Sequence, residues 1–111
     1  MEVYQLTHAQ LNIAFEVLQG AKEDRHRKSN VLKGTYSVPP RDYATDPGDS
    51  LTIQGVAIAK DAVKYIDNLH YVKFGHHGWE GETEYKQIAA MLNASPQERA
   101  MAAHLTLKES L

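Results

Sequence analysis

The chain has 111 residues, of which 42% are hydrophobic and 23% charged, and its net charge at pH 7 is −2. This length and composition predict a single compact domain over residues 1–111 and exclude disordered or collagen-like chains. The absence of cysteine excludes disulfides, thiolate metal sites and cysteine nucleophiles. Because no apolar run reaches the roughly 18 residues of a membrane helix and no signal-peptide pattern is present, we expect a soluble cytoplasmic protein without a membrane partner.

A first helix is predicted over about 8–21. Thr7 and Gln10 have the spacing of a capping box, in which each side chain binds the other residue's backbone N–H. Apolar residues then recur at helical intervals as far as Leu18. The start of this helix is therefore better defined than its end.

The following segment, 22–30, contains no apolar side chain. The first helix therefore either ends near residue 21 or continues beyond the core as a polar projection. Val31 and Leu32 resume the apolar character, and Gly34 after them is a natural helix terminator.

Residues 35–50 contain three of the four prolines and the turn sequence DPGD. Such a composition predicts a long loop with one short extended piece, near 36–38. Because long loops are uncommon in compact domains unless they bind something or move, this loop is a modest indication of function.

The strongest helical pattern covers about 55–70. On a helical wheel, one half is apolar and the other carries the charged residues, so we expect this helix to be the central core element. The apolar half comprises Val56, Ile58, Ala59, Ala62, Val63, Tyr65, Ile66 and Leu69. We therefore expect Val63→Asp to unfold the protein. Ile53 falls on the polar half, which favours a ragged first turn or a strand at 51–54.

The last third of the chain predicts one short strand and two helices. Weak alternation predicts a strand at 71–74, and apolar spacing predicts a helix at about 82–93. A final helix over 96–108 is indicated by Ser95, Pro96 and Glu98, which supply the cap, the first-turn proline and the capping-box acid.

These elements together predict a mainly α fold. It has about four helices and a short two-stranded element that pairs 36–38 with 71–74. The alternative is an α+β fold in which 51–54 joins a sheet.

Residues 88–95 and the helix after them resemble the first half of a helix-turn-helix, a DNA-binding motif. Arg99, however, stands where such motifs bury a Val or Ile. The favoured interpretation is an ordinary helical hairpin packed through Leu92, Met101 and Leu105, in which Arg99 does not read bases.

Six histidines are many for this length, and three of them, His70, His76 and His77, lie close together in sequence. No known metal-ligand spacing is matched, so we expect no metal and no cofactor. His70 falls within an apolar helical arc, which favours a hydrogen-bonded core histidine.

A glycine-punctuated segment brings Lys73, His76, His77 and Trp79 together. Cationic donors beside an aromatic face suit an anion, a nucleotide or a partner's acidic side chain. The alternative is a loop in which Trp79 is simply part of the core.

A second candidate site is the basic run at Arg25, Arg27 and Lys28. The functional interpretation is a small patch for phosphates or an acidic partner, which would assist the segment 73–79 in binding. The alternative is a solvated helix face.

No nucleophile elbow, phosphate-binding loop or other catalytic motif is present, so an enzyme is disfavoured. The leading hypothesis is a small binding or inhibitory protein that contacts a protein partner through its surface, of the kind found in phages or mobile elements. One alternative is a DNA-binding regulator that uses 85–108, although nucleic acid is disfavoured as a partner. Another is a ligand-sequestering protein or small enzyme built on 70–82.

The histidine pair is directly testable. Replacing His76 and His77 together with Ala should change the melting temperature little, since exposed loop side chains rarely contribute more than about 0.5 kcal/mol. Partner or ligand binding should weaken if this segment is the site. A much lower melting temperature would make the pair structural, and normal melting with full binding would exclude the segment.

Overall fold

The computed structural model describes residues 6–75 and 84–109. Its elements are α1 (His8–Leu18), β1 (Lys22–Glu23), β2 (Val31–Lys33), β3 (Tyr36–Val38), α2 (Pro47–Phe74), α3 (Glu84–Leu92) and α4 (Pro96–Glu109). The mainly α fold with a small β element is therefore confirmed.

Both predicted capping boxes are present. The Thr7 hydroxyl accepts from the Gln10 backbone N–H, and the Gln10 side chain accepts from the Thr7 N–H. At α4, Ser95 and Glu98 make the same exchange. These local signals fix where α1 and α4 begin, because each satisfies two N–H groups that a helix start leaves unpaired.

The segment after α1 is a small sheet rather than a continued helix. The three strands are antiparallel in the order β1-β2-β3, and a two-residue turn through Gly34, with φ of 65°, joins β2 to β3. The strand at 36–38 is confirmed. Its predicted partner at 71–74 is wrong, because those residues are helical and β3 pairs with β2 instead.

One residue, Asp61, interrupts α2. Its backbone is extended, with φ of −160° and ψ of 93°, so α2 consists of two helical halves, 47–60 and 62–74. The Asp61 carboxylate accepts from the Lys64 N–H at 3.0 Å and thereby caps the second half. The break is therefore the capped N-terminus of a second helical segment.

The two halves of α2 fold back toward each other. Arg99 donates to Ser50 near the start of α2, while the adjacent Glu98 pairs with Lys73 near its end. In a straight helix Ser50 and Lys73 would lie about 35 Å apart, beyond the reach of these neighbouring side chains. The Tyr65 hydroxyl also donates to Gln54 across the break, at 2.8 Å.

This break overturns the predicted helical wheel. Ile53, expected on the polar half, is fully buried, whereas Val63, expected in the core, is 82% exposed. A wheel assumes one continuous 100° rotation per residue, and the extended Asp61 resets it. Tyr65 and Leu69 are buried as expected, but Val56, Ile58 and Ile66 are exposed, as are Ala59 and Ala62.

The alternative of a strand at 51–54 is also wrong, because these residues are helical. The helix already begins at Pro47, behind Asp46, whose carboxylate accepts from the Asp49 N–H at 2.8 Å. The DPGD sequence therefore starts a helix rather than closing a loop, since Asp at the cap and Pro at the first position favour a helix start.

The core lies between α4 and the other helices. Its largest buried side chains include Phe15, Tyr43, Ile53 and Tyr65, and α4 contributes a run of small residues, Ala100, Ala102 and Ala103. Asn68 and Thr106 are joined by a buried hydrogen bond of 3.1 Å between α2 and α4. Small side chains allow close approach of the helices, so α4 is the central element.

The predicted α3–α4 packing needs correction at one residue. Met101 is buried and Leu105 is half-buried, as expected, but Leu92 is 82% exposed. The reason is that α4 packs mainly on α2 and α1.

A pair of substitutions tests the register of α2. Ile53→Asp should unfold the protein, because a buried, unpaired carboxylate costs several kcal/mol of a total stability of roughly 5–15. Val63→Asp should stay within about 0.5 kcal/mol of wild type, since it is an exposed position. Thermal melts followed by circular dichroism give both values, and the opposite ranking would disprove the described register.

Candidate functional site

The two halves of α2 and helix α3 enclose a cavity of about 220 Å³, called here the apolar groove. Aliphatic side chains form its rim: Leu51, Ile58 and Ile66 from α2, and Ile88 and Leu92 from α3. Tyr65, Leu69 and Met91 are buried beneath them. The groove exists because the break at Asp61 brings both halves of α2 to one place.

The rim of the apolar groove is unusually exposed for aliphatic residues. The exposed fraction is 40% for Ile58, 42% for Ile66, 42% for Ile88 and 51% for Leu51. Single exposed apolar residues are normal on protein surfaces, but several around one concavity are typical of interaction sites.

Arg99 is the charged residue of this groove. Its Nε donates to the Ser50 hydroxyl at 2.9 Å, and its Nη1 donates to the Ala94 carbonyl at 2.6 Å. Neither acceptor is charged, and among the described residues no carboxylate forms an ion pair with it. A half-buried Arg99 side chain therefore lines the groove, and its hydrogen-bond acceptors within the described residues are neutral.

Tyr65 supplies the groove with a neutral hydroxyl. Burial raises the pKa of Tyr65 far above its usual value, an effect that the positive charge of Arg99 opposes only in part. The hydroxyl therefore stays protonated and donates to Gln54.

A second concavity, of about 460 Å³, lies where α1, the β2–β3 turn and the loop before α2 meet. Glu16, which is buried, accepts from the Tyr43 hydroxyl and pairs with Lys33 at 2.7 Å. Burial raises the pKa of Glu16, but the hydrogen bonds from Lys33 and Tyr43 outweigh it, so the pKa lies below its usual value. Burial and the bond to Glu16 raise the pKa of Tyr43 to about 12. The pairing is consistent with a structural cluster.

The predicted site at 73–79 is only partly described. Lys73 lies in the last turn of α2 and pairs with Glu98 at 3.0 Å, which ties the end of α2 to the start of α4. His76, His77 and Trp79 lie outside the described residues, so their role stays a prediction.

The basic residues Arg25, Arg27 and Lys28 lie on the turn between β1 and β2, and all three are exposed. They are not on a helix face, since α1 ends at Leu18. Arg25 and Lys28 border a shallow hollow of about 400 Å³.

His70 is a core histidine, as its position in the sequence indicated. It is fully buried, its Nε2 lies 3.3 Å from the Gln87 side-chain oxygen, and its ring packs on Phe74 with centroids 4.8 Å apart. Within residues 6–75 and 84–109, no three His, Asp or Glu side chains are grouped to hold a metal ion.

Comparison of the chain with protein-family models, with curated proteins and with solved structures finds no match in any of the three. In the described parts of the chain, no helix is both long and apolar enough to cross a lipid bilayer. The geometry of the apolar groove is therefore the main guide to function.

The Glu16 cluster generates a pH prediction. Because folding lowers the pKa of Glu16, its stabilisation is present above the unfolded pKa of about 4.3 and is lost as the pH falls through the folded pKa. Glu16→Gln should therefore be less stable than wild type by about 1–3 kcal/mol at pH 7, a difference that shrinks toward pH 3. Urea unfolding at both pH values measures it, and a constant difference would contradict the ionised pairing.

Proposed function

We propose that this protein is a non-enzymatic binding protein that accepts an amphipathic helix of a partner protein in the apolar groove. The observation that carries the proposal is the ring of partly exposed aliphatic side chains, represented by Leu51, Ile66 and Ile88, around one concavity. Exposed apolar surface is unfavourable in water, so covering it would supply the driving force.

A helical occupant suits the walls of this groove. They are themselves helical, since α2 supplies Leu51, Ile58 and Ile66 and α3 supplies Ile88 and Leu92. Helices recognised by such grooves insert aliphatic side chains at i, i+3 or i+4, and i+7. The partner helix should therefore carry a short aliphatic stripe.

Arg99 adds a charge requirement to the apolar one. It donates to two neutral acceptors, the Ser50 hydroxyl and the Ala94 carbonyl, and within residues 6–75 and 84–109 no carboxylate forms an ion pair with it. An Asp or Glu beside the aliphatic stripe of the partner would meet this guanidinium with a charge-assisted hydrogen bond. Charge complementarity thus favours an acidic amphipathic helix.

The alternatives remain predictions with less support. A helix-turn-helix would expose α4 to DNA, whereas Ala100, Met101, Ala102 and Ala103 are buried and Arg99 bonds within the protein. A ligand site at 70–82 falls largely outside the described residues. Inhibition of the partner stays a prediction, and so does a phage or mobile-element origin.

The test begins with selection of helical peptides of about 15 residues from a randomised display library against the wild-type protein. Selected peptides should combine an aliphatic stripe with an Asp or Glu. Leu92→Lys should weaken their binding at least about tenfold, because it places a charge against the apolar stripe. Tyr36→Lys, a change at an exposed aromatic on the hairpin, is the matched control and should leave affinity unchanged.

Two of the following outcomes would overturn the proposed groove, and one would overturn the acidic character of its partner. One is selection of peptides whose affinity is the same for Leu92→Lys and wild type. Another is equal affinity after the peptide's Glu is changed to Gln, which would remove the role of Arg99. The third is a concentration-dependent dimer in sedimentation velocity that Leu92→Lys abolishes, since a second copy would then be the occupant.

A further inference from the structure

The turn between β1 and β2 carries four successive basic or imidazole side chains, Arg25, His26, Arg27 and Lys28, here called the basic loop. All four are exposed. Among the described residues, none of their side chains forms an ion pair or a hydrogen bond. This local concentration of positive charge stands out on a chain whose net charge is −2.

Hydrogen bonds to Asp24, which is 6% exposed, fix the backbone of the basic loop. One carboxylate oxygen accepts from the N–H groups of His26 at 2.9 Å and Arg27 at 3.1 Å. The other accepts from the Ser37 hydroxyl on β3. These bonds turn the Asp24 carboxylate inward and leave the basic side chains directed outward.

Asn30 closes the other side of the loop. Its backbone N–H donates to the Arg27 carbonyl at 2.9 Å, and its side chain donates to the Ser37 hydroxyl at 3.1 Å. The Ser37 bond, above all, holds the pKa of Asp24 below its usual value, so the carboxylate is ionised at neutral pH. A loop fixed in this way loses little backbone entropy when a ligand binds.

From this arrangement we infer that the basic loop binds the phosphate backbone of nucleic acid without reading its sequence. A guanidinium group matches phosphate geometry because it offers paired N–H donors. One short turn presents two such groups, those of Arg25 and Arg27. Contacts to phosphates alone carry no sequence information. Because these contacts are electrostatic and few, we expect the binding to be weak and strongly dependent on salt.

The composition of the loop favours nucleic acid over a membrane surface. Residues 22–30 contain no apolar side chain, whereas segments that lie in a lipid interface insert Trp, Phe or Leu. The acidic neighbours Glu23 and Asp24 reduce the local charge, which confines the site to a few phosphates. This activity is independent of the apolar groove, which lies on α2 and α3.

The experiment measures anisotropy of a labelled random-sequence duplex of about 20 base pairs at about 20 mM NaCl. The triple variant Arg25→Gln, Arg27→Gln, Lys28→Gln should bind about tenfold more weakly or worse. The slope of log K against log salt should become shallower by about 0.9 for each phosphate that the variant no longer neutralises. The control variant Lys60→Gln, Lys86→Gln, Lys108→Gln removes an equal number of positive charges, from exposed positions elsewhere, and should bind as wild type.

Selective weakening in the basic-loop variant, with an unchanged melting temperature, supports the inference. Equal weakening of both variants would show that only overall charge matters, and absence of saturable wild-type binding would remove the site. Binding to anionic lipid vesicles or to a poly-glutamate peptide, but not to the duplex, would also overturn it.

Discussion

The break of α2 at Asp61 determines most of what is distinctive in this protein. One extended residue, followed by a carboxylate cap on the Lys64 N–H, turns a 28-residue helix into two halves that fold back toward each other. The fold-back brings Gln54 within hydrogen-bond distance of Tyr65. It also brings Leu51 and Ile66 to the same cavity, so the apolar groove is a direct consequence of the break.

Charged side chains at the start of α4 hold the two ends of α2. Glu98 caps α4 through Ser95 and also pairs with Lys73, while Arg99 bonds Ser50. A partly exposed pair such as Lys73 and Glu98 contributes modestly to stability, about 0–1 kcal/mol, so its main effect is to fix geometry. Arg99 has a second consequence, because it is the charged residue among the lining of a mainly apolar groove.

The sequence predicted those parts of the fold that depend on local chemistry. The capping residues Thr7 and Ser95 marked two helix starts because side chain and backbone interact within one turn. Asp61 has the pattern of an ordinary polar position, since an N-cap inside a continuous helical pattern has no distinct local signal. The groove, which depends on that break, was therefore not predicted. The pairing of β2 with β3 was missed because three-residue strands carry too little periodicity.

The distance between the two halves of α2 tests this account most directly. The chain has no cysteine, so Thr52→Cys and Tyr71→Cys introduce two unique sites for spin labels and keep the Lys73–Glu98 pair. If α2 folds back at Asp61, pulsed electron paramagnetic resonance should give a backbone separation below about 20 Å, whereas a straight helix would separate these residues by about 29 Å. A distribution centred near the longer value would contradict the fold-back and, with it, the groove.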